Sequence, residues 1–213
     1  KTNSESLAIN ETSKRAWEIL MKEDPFFRNV YINNAPENLE QKTGFGGSYS
    51  HPKDAGQSPT IYIRTDYTPT IAFIREHGTV VLNIIAGKLG MHPTDLTDEM
   101  LETFILLHEA GHAKDYRGMT HEETRARRQS DIDTLPAKNL RDFMDKNPTA
   151  SDTEITDFVT RYRNTTTESA ADNFAAEFFK QHMDLFERSA PEQRNDAPAT
   201  AEPTRPEHQE TGR

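Results

Sequence analysis

Along most of this chain the apolar residues recur at intervals of three and four, the spacing of a helix face, and alternate only briefly. Ala16, Ile19 and Leu20 mark one face of a helix over 12–22 that stops before Asp24-Pro25. A glycine-rich, β-like stretch over 44–50, a turn through 51–56 and the run Thr60-Ile-Tyr-Ile-Arg64 predict a hairpin or neighbouring strands. Ile71, Ile74, Val81, Ile85 and Leu89 suit one or two helices between 69 and 89, with Gly78 the candidate break. The next helix has the clearest start: Thr97 as N-cap, Asp98 and Glu99 at the positive dipole end, and Leu96 positioned to staple onto Leu101. It runs from about 98 to 116 and ends near Gly118. Further helices are expected at 121–130 and 137–145, and Ser151-Asp-Thr-Glu154 is a capping box opening one to about Tyr162. A last helix over about 167–187 carries Phe174, Phe178, Phe179, Met183 and Phe186. The fold class this gives is α+β, a mostly helical domain with a small sheet ahead of the 98–116 helix.

Composition narrows the picture. The 213 residues suffice for one domain with a core, but only 33% are hydrophobic and 28% are charged, so part of the chain contributes nothing to that core. From Ser189 to Arg213 no large apolar or aromatic residue occurs, which predicts a disordered tail or linker at 189–213 behind a domain at 1–188. The formal net charge of −10 argues against a nucleic-acid partner. The one dense basic cluster, Arg125-Ala-Arg127-Arg128, sits among acidic neighbours and reads as a solvated helix face. There is no cysteine, so a metal must be held by nitrogen and oxygen. No apolar run is long enough to span a membrane. The N-terminus shows no export signal, which makes a cytoplasmic site the default expectation; export as an effector without a recognisable signal is equally compatible.

The chemistry concentrates in His108-Glu-Ala-Gly-His112. Four residues apart on a helix, His108 and His112 share a face and can converge on one ion, and Glu109 beside them can act as base to a water there. Gly111 costs about 1 kcal/mol of helix propensity, which makes sense where another backbone passes close. A catalytic zinc takes a third protein ligand. A histidine six residues beyond His112 is excluded, since Gly118 stands there, and His121 falls beyond the helix end. The better candidate is Glu168, with Asp172 four residues on to fix the tautomer of a ligand imidazole. Ala170, Ala171, Ala175 and Ala176 leave room for close helix contact. An ordinary solvated Glu/Asp face is the competing reading of this second pair.

Together, His108-Glu-Ala-Gly-His112 and Glu168-Ser-Ala-Ala-Asp172-Asn-Phe-Ala-Ala resemble the gluzincin metallopeptidases, and among them the small ImmA/IrrE-like and HtpX-like peptidases. The resemblance implies a minimal zincin-like domain binding one Zn2+ through His108, His112 and Glu168, with Glu109 as the catalytic base. It also implies an edge strand that pairs with an extended substrate, a role that falls on Gly46, Gly47, Ser48 and Tyr49. The interval from His112 to Glu168 is longer than minimal members use, so about 119–160 reads as a helical insertion. Tyr162 and His182 are the candidates for a donor to the oxyanion. The expected function is zinc-dependent hydrolysis of peptide bonds in a protein or peptide substrate. The alternative is a non-catalytic regulatory or protein-interaction domain that retains zinc for its fold.

Overall fold

The computed structural model describes residues 9–35, 47–54, 56–64 and 66–187. Gly46 and the 189–213 segment lie outside them.

Helix α1 (Glu11–Glu23) is started by Asn10, whose side chain accepts from the Ser13 N–H, and ends at Asp24 before a 3-10 turn over Pro25–Asn29. Its inner face buries Ala16, Trp17 and Leu20. Three short strands follow: β1 (Tyr31–Asn34), β2 (Gly47–Ser50) and β3 (Thr60–Ile63). β3 is central in the order β1-β3-β2, parallel to β1 and antiparallel to β2, with Gly47 opposite Ile63 and Tyr49 opposite Ile61. Ile61 and Ile63 are fully buried while Tyr62 between them is not, as the two-residue period of a half-buried strand requires. The pairing of β2 with β3 matches the expected neighbouring strands. β1 was not legible, because only Ile32 of its four residues turns inward and no alternation results.

Two helices occupy the 69–89 region, α2 (Thr68–His77) and α3 (Thr79–Leu89). Gly78 is the break, as the sequence suggests; a Cβ there would lie 2.7 Å from the Ile74 carbonyl oxygen. Helix α4 (Asp98–Asp115) opens on Thr97, whose side chain accepts from the Met100 N–H. It is no surface helix with one apolar stripe. Met100, Leu101, Phe104, Leu106, Leu107, Ala110 and Ala113 are buried on several of its sides, because α1, β2, β3, α2 and a C-terminal helix all pack on it.

The remaining elements are α5 (His121–Ile132), α6 (Leu140–Lys146), α7 (Asp152–Arg163), α8 (Thr166–Gln181) and α9 (Met183–Glu187). Both α5 and α7 carry full capping boxes, Thr120 with Glu123 and Ser151 with Glu154. The single helix expected over 167–187 is divided at His182, which leaves helical geometry (φ −127°, ψ 35°). That bend folds Phe186 back to stack on Phe179 with ring centroids 3.9 Å apart. The stretch expected as a helical insertion, about 119–160, does not stand apart: Ala137, Phe143, Phe158 and Val159 belong to the same buried cluster as α4 and α8. Among the described residues no helix is long and apolar enough to cross a membrane.

Candidate metal centre

Among the described residues α4 and α8 share the most extensive helix–helix contact, and the candidate site lies between them. Gly111 permits the approach. A Cβ on it would sit 2.7 Å from the Cα and 2.8 Å from the carbonyl oxygen of Ala171, so the small residues of both helices are what bring the His108 turn against the Glu168 turn. The start of α8 is held from outside. Its cap residue Thr165 makes no side-chain cap bond; instead Asp131 of α5 accepts from the Thr167 N–H at 2.8 Å and its hydroxyl at 2.6 Å, and from the Thr166 N–H at 3.3 Å.

His108, His112 and Glu168 converge, with one ligand atom from each lying within 4.8 Å of the other two. His108 Nε2 is 3.2 Å from one Glu168 oxygen and His112 Nε2 is 3.6 Å from the other. The ring of His108 is fixed through its second nitrogen: Nδ1 lies 2.8 Å from Asp172 Oδ1, and Asp172, fully buried, is itself paired with Arg163. His112 is held differently. Its ring stacks on Tyr116 at 5.9 Å and an interplanar angle of 9°, and its buried Nδ1 has no hydrogen-bond partner among the described residues. The Tyr162 hydroxyl donates to Glu168 Oε1 at 3.1 Å.

Burial and charge set the protonation of the cluster. Burial alone would lower the pKa of His108, but its bonds to Asp172 and Glu168 outweigh this and lift it to about 9. For His112 burial dominates and pushes the pKa down to about 3, leaving a neutral ring with a free lone pair. Burial opposes ionisation of Glu168, yet the hydrogen bond from His108 and the charges around it hold its pKa well below the usual carboxylate range. Glu109, buried and beside the cluster, is raised by burial to about 7.

This donor set fits a metal ion. With His108 Nδ1–H committed to Asp172, a metal ion can take the place of the proton between His108 Nε2 and the Glu168 oxygen that faces it. Ligand atoms on a tetrahedral zinc lie roughly 3.3–3.5 Å from one another, and the two imidazole–carboxylate separations, 3.2 and 3.6 Å, bracket that spacing. Glu109 lies against β2, where a Cβ on Gly47 would come within 2.7 Å of its Cγ and 2.8 Å of its Oε1. Gly47 is thus the strand position that leaves room for the Glu109 side chain.

The other sequence candidates divide. Tyr162 is at the cluster, where it donates to Glu168. His182 is not: it follows the C-terminal end of α8, about 20 Å along the axis from Glu168 at 1.5 Å per residue, with Nε2 3.2 Å from Glu23 of α1 and its ring against Phe178. It has no place at the cluster. Ser48 and Tyr49 lie on β2, and the Tyr49 hydroxyl pairs with His51, whose other nitrogen reaches the Met119 carbonyl and so ties β2 to the loop after α4. Three contributors went unanticipated. Tyr116 stands four residues after His112, a spacing that announces a shared face. Arg163 and Asp131 reach the site across turns, and no periodic signal marks them. Comparison with family models, with curated proteins and with solved structures finds no match for this chain.

Proposed function

We propose that this protein is a zinc-dependent peptidase that hydrolyses peptide bonds in a protein or peptide held extended beside β2. The observation that carries the reading is the convergence of His108, His112 and Glu168 next to a buried carboxylate, Glu109, with a pKa near neutrality. His108, His112 and Glu168 would hold the ion, which when bound polarises the scissile carbonyl and makes water a nucleophile near neutral pH. The zincin-like character of the fold belongs to the same proposal.

The residues of the chain divide the remaining work. Glu109 takes the proton of the attacking water and hands it to the leaving amine, a task for which a pKa near 7 suits a group working near neutral pH. Asp172, itself paired with Arg163, keeps the His108 ring in the tautomer that directs Nε2 inward. Tyr162 orients the Glu168 carboxylate. β2 pairs with β3 along one side, and among the described residues no strand pairs with its other side, which supports backbone pairing with an extended chain.

Glu109→Gln tests the mechanism, since it keeps the shape of the side chain and removes the base. The variant is expected to bind zinc as the parent does and to cleave about 10²–10⁴-fold more slowly. Equal cleavage by zinc-loaded parent and variant would overturn the mechanism. Stoichiometric zinc with no cleavage by either protein across a proteome-wide screen would favour the non-catalytic alternative.

A further inference from the structure

One exposed side chain on the helix that joins the ends of α4 and α8 has no part in the reaction above, the guanidinium of Arg128. Helix α5 is pinned at two points that bracket the cluster. Arg127 pairs with Asp115, three residues beyond His112, at 3.0 Å. Asp131 binds Thr167, the residue before Glu168. On α5 the buried centre of the inward face is Thr124, and Arg127 and Arg128 flank it to either side at helical spacing. Arg128 therefore lies over the gap between the end of α4 and the start of α8. Its positive charge is felt at His112 of the cluster and at Glu109, Tyr116 and Tyr162 beside it. Unlike Arg127 it is exposed, and among the described residues it makes no hydrogen bond or ion pair.

A solvent-facing arginine with no partner among the described residues, set beside the candidate centre in a chain of net charge −10, is a positive charge that can draw an anion there. The fork of its guanidinium matches a carboxylate. We propose that Arg128 is the anion anchor of the candidate site, pairing with a substrate carboxylate so that the site selects peptides carrying one within a few residues of the scissile bond. The inference rests on the peptidase reading and deepens it. The carboxylate is that of an acidic side chain or of the peptide C-terminus, and the two are separable by experiment.

Zinc-loaded Glu109→Gln protein is titrated with blocked hexapeptides that differ only in Glu or Gln at a single position. Each peptide is made both with a free C-terminal carboxylate and as the amide. The carboxylate member of a pair is expected to bind about tenfold or more tightly. Adding Arg128→Gln is expected to bring that ratio to about one, and Arg128→Glu to shift the preference to peptides with Lys at the same position. A Glu-over-Gln preference that persists in amidated peptides assigns the side chain, and one confined to acid over amide assigns the C-terminus. Equal affinities within every pair, no binding by any peptide, or a preference that survives Arg128→Gln would each overturn the proposal. Incubating the same peptides with the parent protein reads the peptidase activity separately, so its failure is not confused with failure of the anchor.

Discussion

At the scale of single residues, the facing pair of His108 Nε2 and Glu168 Oε2, 3.2 Å apart, is the most informative contact in the molecule. Without metal a proton fills the gap, and the bonds of His108 to Asp172 and to Glu168 together lift its pKa to about 9. The sign of this follows directly. A histidine whose folded pKa lies above its unfolded value adds stability that is fully present below about pH 6.5 and is lost as pH rises through about 9. A metal ion takes the same place, so binding must expel the proton. Zinc uptake at pH 7.5 is therefore expected to release about one proton per ion, and release should vanish near pH 10. Calorimetry in buffers of differing ionisation enthalpy measures it; no proton release at pH 7.5 would contradict the assignment. Gly47 makes a second prediction at this scale. In Gly47→Ala the new Cβ must displace Glu109, whose Cγ would be 2.7 Å away. Cleavage is expected to fall about tenfold or more, with zinc stoichiometry unchanged. Parent-like turnover would mean that Glu109 does not work from this position.

Among the elements, the contact of α4 with α8 decides whether the two halves of the site meet. Gly111→Ala would drive a Cβ to 2.7 Å from the Ala171 backbone, and overpacking of that kind costs about 1–3 kcal/mol. Gly87→Ala is the matched control: it also lies inside a helix, but a Cβ there meets nothing within 4 Å, so a gain of about 0.5–1 kcal/mol is expected. Thermal or denaturant unfolding of both variants checks the contrast, and Gly111→Ala should also bind zinc more weakly than the parent. The need for a small residue at Gly111 was legible in the sequence, because a glycine in mid-helix is a cost that calls for a neighbour. The four-residue spacings of His108 with His112 and of Glu168 with Asp172 were legible for a similar reason, since helix periodicity alone puts each pair on one face. What escaped lies across turns. Asp131 capping α8, Arg163 bracing Asp172 and the bend at His182 depend on which helices become neighbours, and local pattern does not encode that. The position of His182 also removes it from the oxyanion role that sequence distance allowed.

For the whole molecule, the architecture explains why a chain with so little hydrophobic residue can hold a buried polar cluster. One continuous core runs from Trp17 of α1 through α4 to Phe179 of α8 and takes in Phe143, Phe158 and Val159 from the helices of 119–160, so the elements that carry the site are backed by packed side chains. Those helices do more than lengthen the chain: α5 braces the start of α8, and α7 delivers Tyr162 and Arg163. The central claim is that this scaffold closes His108, His112 and Glu168 on one ion. Anomalous scattering at the zinc edge from crystals of zinc-loaded protein tests it most directly. The account predicts a single strong peak about 2.0–2.2 Å from His108 Nε2, His112 Nε2 and a Glu168 oxygen. A peak elsewhere, or none between these three side chains in protein supplied with zinc, would contradict it.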